Sequence, residues 1–346
     1  MLYCDILVVG AGPAGSSAAL EASKAGTRVL MVEKKKTIGQ PVQCAELLPK
    51  SSILQLKVTR RSIVQEIKRA RIFPPQGEYF EEDFSCYMLD RTVFDKELAV
   101  QAVNEGARIL VKTCCISKKG EKVILRRGSK RTEVFPKVII GADGPRSTVG
   151  KWITSVNREF CIALQYEVPL IAPSDCVEFY FDHEFFGGYG WLFPKGKVAN
   201  VGVVVRFGEK TGPSDLMYNL LNKFMRKLQR KNKVKESPVS ITGGLIPVGG
   251  PLHTVKENII LAGDAAGQAD PITGSGIVQA LLCGKIAGKT AAEAVRKNDL
   301  HILYEYEVKW RYLFENDLKR TFAKRQFLES HWDELDSIIR KGWIMR

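Results

Sequence analysis

An apolar run from Tyr3 to Val9 ends at the hexapeptide GAGPAG, which opens a small-residue stretch, Ser16 to Ala25, and is followed by a second apolar run from Arg28 to Glu33. This order predicts a strand, a glycine turn, a helix and a second strand, the unit that binds dinucleotides in Rossmann-like folds. Each glycine has a physical task there: Gly10 permits the tight turn, Gly12 lets backbone approach a pyrophosphate, and Gly15 allows close packing of the helix. The helix N-terminus adds positive potential for the phosphates. Glu33 stands at the end of the second strand, where a carboxylate can accept hydrogen bonds from a ribose. A glycine hexapeptide alone also occurs in plain βα turns, but here strand, helix and acid all fall where the mechanism requires them.

A second glycine-rich segment lies far along the chain, NIILAGDAAGQADPITGSGIVQALLCGKIAGKTAAEAV. It predicts a strand, then Gly263-Asp264, then a turn into a long helix beginning near Gly276. An aspartate at that strand end can bind a ribityl hydroxyl, and the following helix can point its N-terminus at a flavin ring and favour the anionic reduced form. Asp264 before two alanines can equally serve as a helix cap. A third stretch, GADGPRSTVG, follows a buried strand Val138 to Ile140, and its Asp143-Gly144 can be a simple turn.

Composition narrows the rest. Over 346 residues, 52 Lys and Arg against 38 Asp and Glu leave a net charge of +14, which points to anionic partners. Eight cysteines without regular spacing read as reduced thiols rather than a disulfide framework. No CxxC pair suggests zinc and the four histidines are scattered, so no metal site is expected. The first residues, MLYCDILVVGAG, carry Asp5 and no basic leader, so they read as a buried strand and not a signal peptide. No window approaches the roughly 20 apolar residues of a membrane-spanning helix. The expectation is a cytoplasmic protein, soluble or peripheral on the cytoplasmic membrane face.

Three basic segments, 57–71, 223–235 and 319–325, resemble amphipathic helices with solvated basic faces. Such faces also lie on anionic lipid, whereas no nucleic-acid motif accompanies them. From Asp175 to Phe207 the pattern predicts three antiparallel strands joined by glycine-rich turns. The middle strand carries GGYGWLFPKG, an aromatic row that on its own suits a sheet core.

Taken together, GAGPAG, PVQCAE, DRTVFDKEL, GADGPRSTVG, YGWLFP and GDAAGQADPITGSGI resemble the geranylgeranyl reductase family of flavoproteins, within the larger class that includes the aromatic hydroxylases. The resemblance covers roughly residues 1 to 295. It implies non-covalent FAD held by Gly10, Gly12, Ala14, Gly15 and Glu33 on the adenosine side, with Cys115 near the adenine. Arg91 would meet a pyrophosphate oxygen, and Cys44, Ala45 and Leu47 would run past the flavin. Asp264, Gly274, Gly276 and Ile277 would touch the ribityl chain and ring. Cys115 can equally be a small core residue. The resemblance further implies that Tyr189, Trp191, Phe193 and Pro194 line a wall for a long apolar substrate. An isolated alkene accepts hydride poorly, so a proton must arrive as hydride is transferred. Cys44 stands where the family pattern places a candidate donor, although a thiol of pKa near 8.5 is a weak acid and its role can equally be packing.

The fold class expected is mixed α/β: a Rossmann-like FAD-binding domain (1–70, 87–150 and 256–296) interwoven with an antiparallel-sheet substrate domain (71–86 and 151–255) and a C-terminal helical segment (297–346). With a single GxGxxG in the chain, the reductant, NAD(P)H or a ferredoxin-like electron carrier, would bind only briefly. The expected partners are an isoprenoid lipid or other prenyl substrate, an anionic membrane surface and that carrier. Alternatives on the same fold are a monooxygenase of a small aromatic compound and a non-catalytic peripheral flavoprotein.

Overall fold

A computed structural model describes residues 1–52, 59–208 and 214–341. The chain divides into two compact units, the first formed by 1–40, 92–158 and 249–320, the second by 41–91, 159–248 and 321–346. Segment 41–70, expected with the nucleotide-binding part, falls in the second unit because its strands pair there.

In the first unit, β1 (Leu2–Val9), β2 (Val29–Val32), β6 (Arg108–Leu110), β9 (Lys130–Gly141) and β16 (Ile259–Leu261) form a parallel sheet in the order β16-β9-β1-β2-β6. The antiparallel ladder of β7 (Cys114–Lys119) and β8 (Lys122–Arg127) is added through β9, and β15 (Val255–Lys256) pairs with β16. The strands are near-continuous apolar runs, as a sheet covered on both faces requires. On one face lie α1 (Pro13–Lys24) and α5 (Ile277–Lys297). Helix α1 begins at Pro13, three residues before the expected start, because proline is suited to the first helical position. The two helices pack with almost no space between backbones: a side chain at Gly284 or Gly288 would collide with the Ala14 or Ala18 carbonyl. Ala18, Ala22, Ala287 and Ala291 are fully buried along this seam.

The second unit is built on an eight-stranded sheet, β14-β10-β13-β12-β11-β4-β5-β3. Its strands are β3 (Leu47–Pro49), β4 (Ile63–Phe73), β5 (Phe80–Leu89), β10 (Phe160–Pro169), β11 (Cys176–Tyr180), β12 (Tyr189–Lys195), β13 (Val198–Arg206) and β14 (Ser240–Pro247). All neighbours are antiparallel except β4 and β11. The three strands expected between Asp175 and Phe207 are β11, β12 and β13. Helix α4 (Ser214–Arg230) covers one face of this sheet, its Met217, Leu221, Phe224 and Leu228 packing with Leu192, Val201 and Val203.

One basic segment is not a helix. Of 57–71, Lys57 and Val58 lie outside the described residues, Arg60–Ser62 is a single 3-10 turn, and the remainder is strand β4. The charged residues there alternate rather than recur every three or four, and Arg69 and Arg71 pair with Asp175, just before β11, and with Glu81 of β5. Segment 223–235 is helical only to Arg230, and 319–325 lies inside α6 (Tyr304–Ser330). Among the described residues no helix is long and apolar enough to cross a membrane, no group of acids, cysteines or histidines could hold a metal, and every cysteine is free.

Candidate functional site

The first unit carries a cradle made mainly of backbone. Gly10 has φ +101°, and a side chain there would run into the Ala142 carbonyl, so only glycine fits the turn. Gly12 faces open space, with no protein atom where its side chain would be. It is the N-cap of α1, makes no side-chain cap, and the first turn holds no acid, so the orphan N–H groups remain for an outside acceptor. Gly276 is the N-cap of α5 and likewise makes no side-chain cap, and a side chain there would come within van der Waals reach of Asp264.

Both Glu33 oxygens are fixed from within: Ala11 N–H donates to Oε2 (2.9 Å) and Lys35 N–H to Oε1 (2.8 Å). The carboxylate therefore ties the end of β2 to the glycine turn, and each oxygen keeps a further lone pair. Asn157, which no sequence pattern singled out, donates to the carbonyls of Pro145 (3.0 Å) and Asp264 (2.8 Å), joining two of the glycine-rich turns. Gly274 sits at φ +70° in a turn closed by Asp270, whose Oδ1 accepts from the N–H groups of Ile272 and Thr273. Burial raises the Asp143 carboxyl, against the hydrogen bonds from Ser147, Thr148 and Val149. Cys115 lies on β7, its thiol pushed up to about 12 by burial first and then by Asp143 and Cys114.

These features fit FAD. They offer unclaimed helix N-termini, space opposite Gly12 and an acid beside the turn, which are what a pyrophosphate and a ribose need.

The second unit presents a face built from side chains. Tyr189, Trp191 and Phe193 alternate along β12 on the side away from α4, in a cluster with Phe179 of β11. Trp191 stands opposite Gly202, where any side chain would meet the indole. Trp191, Phe193 and Pro194 are buried and Tyr189 is half-buried. Among the described residues, the Trp191 Nε1–H and the Gln165 Oε1 are buried without hydrogen-bond partners. Unmet polar atoms are uncommon in native interiors and mark this face as one that receives something.

Across the same face runs PVQCAE. Gln43 Nε2 donates to the Gly243 carbonyl (2.7 Å), Gln165 Nε2 to the Cys44 carbonyl (3.0 Å), and Asn200 Nδ2 to the Ala45 carbonyl (3.3 Å). Cys44 is half-buried, with the Glu46 N–H donating to its Sγ (3.2 Å). Burial pushes this thiol up, while the Arg91 guanidinium and the Glu46 N–H draw it down. Leu47 opens β3, and Arg91, at the start of α2 (Arg91–Asn104), donates its own N–H to Glu46 Oε1 (2.7 Å). The expected residues thus fall into two groups, one on each unit: Gly10, Gly12, Ala14, Gly15, Glu33, Cys115, Asp264, Gly274, Gly276 and Ile277 on the first, and Cys44, Ala45, Leu47, Arg91, Tyr189, Trp191, Phe193 and Pro194 on the second.

Sequence reasoning missed Gln165, Asn200, Lys195 and Glu46. The available signal was a polar residue inside an apolar strand, Asn200 in VANVG and Gln165 in CIALQY.

Comparison with known proteins adds the following. Residues 159–246 match the model of the geranylgeranyl reductase catalytic domain, and residues 5–119 that of FAD dependent oxidoreductases. A digeranylgeranylglycerophospholipid reductase of Methanocaldococcus jannaschii is 35% identical, over 96% of this chain and 89% of its own. The solved structure of a geranylgeranyl bacteriochlorophyll reductase-like protein from Thermoplasma acidophilum superposes with TM-score 0.89 at 31% identity, covering 98% of this chain and 91% of its own. A flavin-dependent brominase, at 17% identity and TM-score 0.73 over 98% of this chain and 94% of its own, shares the fold alone.

Proposed function

The chain belongs to the geranylgeranyl reductase family of FAD-dependent oxidoreductases, and from that premise we propose that it hydrogenates isolated C=C bonds of an isoprenoid chain, with a geranylgeranyl lipid or prenyl quinone as the substrate class. FAD, bound without a covalent link and reduced by an outside donor, would supply the hydride. Glycines 10, 12 and 15 with the α1 N-terminus would hold the pyrophosphate, Glu33 the adenosine ribose, and Asp264 with the α5 N-terminus the ribityl and ring end.

The observation that carries the substrate class is the aromatic face of the second unit, a row of rings without a charged side chain among Phe179, Tyr189, Trp191 and Phe193. Such a face discriminates mainly by apolar area and shape, which suits a polyprenyl chain. Cys44 is the residue we assign to hold and deliver the proton. Its raised pKa keeps the thiol protonated at neutral pH, and Arg91 and the Glu46 N–H stabilise the thiolate left behind.

The reductant is NAD(P)H or a small ferredoxin-like carrier, since the sequence holds one GxGxxG alone. The exposed basic side of α4 and the turn after it, with Arg226, Arg230, Lys231 and Lys235, supports docking on an anionic membrane surface. The test of function is anaerobic mixing of dithionite-reduced protein with geranylgeranyl lipids, prenyl quinones and small phenols, followed by flavin absorbance. Reoxidation by a geranylgeranyl lipid, which has no quinone ring to accept electrons, supports the proposal; no response to the lipid, together with hydroxylation of a phenol once oxygen is admitted, replaces it with a monooxygenase.

A further inference from the structure

Glu46 is among the most buried charged groups of the second unit, 1% exposed, and it adopts a left-handed backbone, φ +70°. A non-glycine residue in that conformation costs on the order of 1–3 kcal/mol and persists only where its surroundings over-determine it. They do so here. Lys195 Nζ (2.6 Å) and Asn200 Nδ2 (2.9 Å) donate to Oε2, and the Arg91 N–H (2.7 Å) donates to Oε1. The three donors come from β12, β13 and the start of α2, so the carboxylate is clamped from three directions.

Lys195 is itself enclosed, its side chain 12% exposed, with Glu167 at 3.9 Å as its second anion. In the same turn the Glu46 N–H donates back to Cys44 Sγ (3.2 Å). Lys195 closes the aromatic strand two residues after Phe193, so the same clamp ties PVQCAE to the face that carries Trp191.

Resting on the assignment of Cys44 as proton donor, we propose that Glu46 is a positioning residue: its clamped carboxylate holds the left-handed turn that fixes the Cys44 thiol over the aromatic face. Lys195 and Asn200 act through it, and none of the three transfers a proton. The groups that face the thiol are the Arg91 guanidinium, which favours the thiolate, and the Glu46 carboxylate, which opposes it. Removing the carboxylate lowers the thiol pKa, whereas release of the turn withdraws the Glu46 N–H that draws it down. The two effects oppose each other, so the turn is read from access to the thiol rather than from its pKa.

The test uses two variants of the FAD-loaded protein, Glu46→Gln and the double variant Glu46→Gln with Lys195→Met. The single variant leaves a buried lysine without its main partner and is expected to lose stability. The double variant removes both charges and is expected to regain thermal stability. Cys44 alkylation by iodoacetamide is followed peptide by peptide against pH, and reoxidation of the reduced protein by a geranylgeranyl lipid is followed in parallel. Positioning predicts that in both variants the plateau rate of alkylation at high pH, which reports access rather than ionisation, rises at least tenfold, and that reoxidation slows at least tenfold even where thermal stability has returned. Recovery of the wild-type profile and rate together with stability in the double variant would overturn the proposal, because the pair would then only support the fold. Should the wild-type protein reduce no prenyl chain, the functional assignment fails while the alkylation profiles still decide whether Glu46 holds the thiol.

Discussion

The two units meet their chemical tasks with different materials. The first makes its cradle from absence: glycines where side chains would collide, uncapped helix ends, and carbonyls and N–H groups that already lie in fixed directions. The second makes its face from presence, with aromatic rings packed edge-on and tilted along β12 and a buried acid, amide and lysine that hold one loop across them. A backbone cradle is local, since its steric rules act within a few residues. A side-chain clamp is not, and Glu46 reaches partners 149 and 154 positions away.

The largest expected effect lies at a thiol of the first unit. Burial holds the Cys115 thiol at about 12, so its alkylation at pH 8 is expected to be roughly a thousandfold slower than that of a thiol with pKa 8.5. Peptide-resolved labelling checks it, and rapid modification of Cys115 would deny it a packing role. Next is the turn at Gly10, where Gly10→Ala places a methyl group against the Ala142 carbonyl at φ +101°. The strain, on the order of 1–3 kcal/mol, is expected to remove most bound FAD, read as the flavin-to-protein absorbance ratio.

Gly202→Ala puts the same methyl group on the other unit, against Trp191. Overpacking of about 1–3 kcal/mol is expected to lower the melting temperature and the reoxidation rate while the flavin ratio stays at the wild-type value. Equal loss of FAD in both glycine variants would erase the distinction between the units.

The smallest effect concerns a charge pair between β1 and the residue that precedes β2. The Arg28 guanidinium holds the Asp5 carboxyl well below the usual carboxylate range. A lowered carboxyl contributes stability above its unfolded pKa and loses that contribution as the pH falls toward the folded value. Arg28→Met should therefore reduce the melting temperature slightly at neutral pH, with the difference shrinking in acid. Arg28 is 67% exposed at its side chain, so solvent keeps this pair weak compared with the enclosed Glu46 and Lys195.

The same contrast explains what the amino-acid sequence revealed. The strand, glycine turn, helix and strand between Tyr3 and Glu33 were legible because such a turn leaves its steric demands within one short stretch. The three strands around YGWLFP were legible from alternation and glycine turns. The β4 segment was not, because its basic residues obscured a period of two that pairing with β5 and β11 enforces. Asn157, Asn200 and Lys195 carry no local signature, and their work is visible only once strands distant in sequence are neighbours.

The most direct test of the central claim is the mass of a geranylgeranyl lipid after incubation with the dithionite-reduced, FAD-loaded protein under anaerobic conditions. A gain of two hydrogens for each double bond reduced, greatly diminished in Trp191→Ala while FAD remains bound, is the result predicted here. An unchanged lipid mass from protein with its full complement of FAD would contradict it.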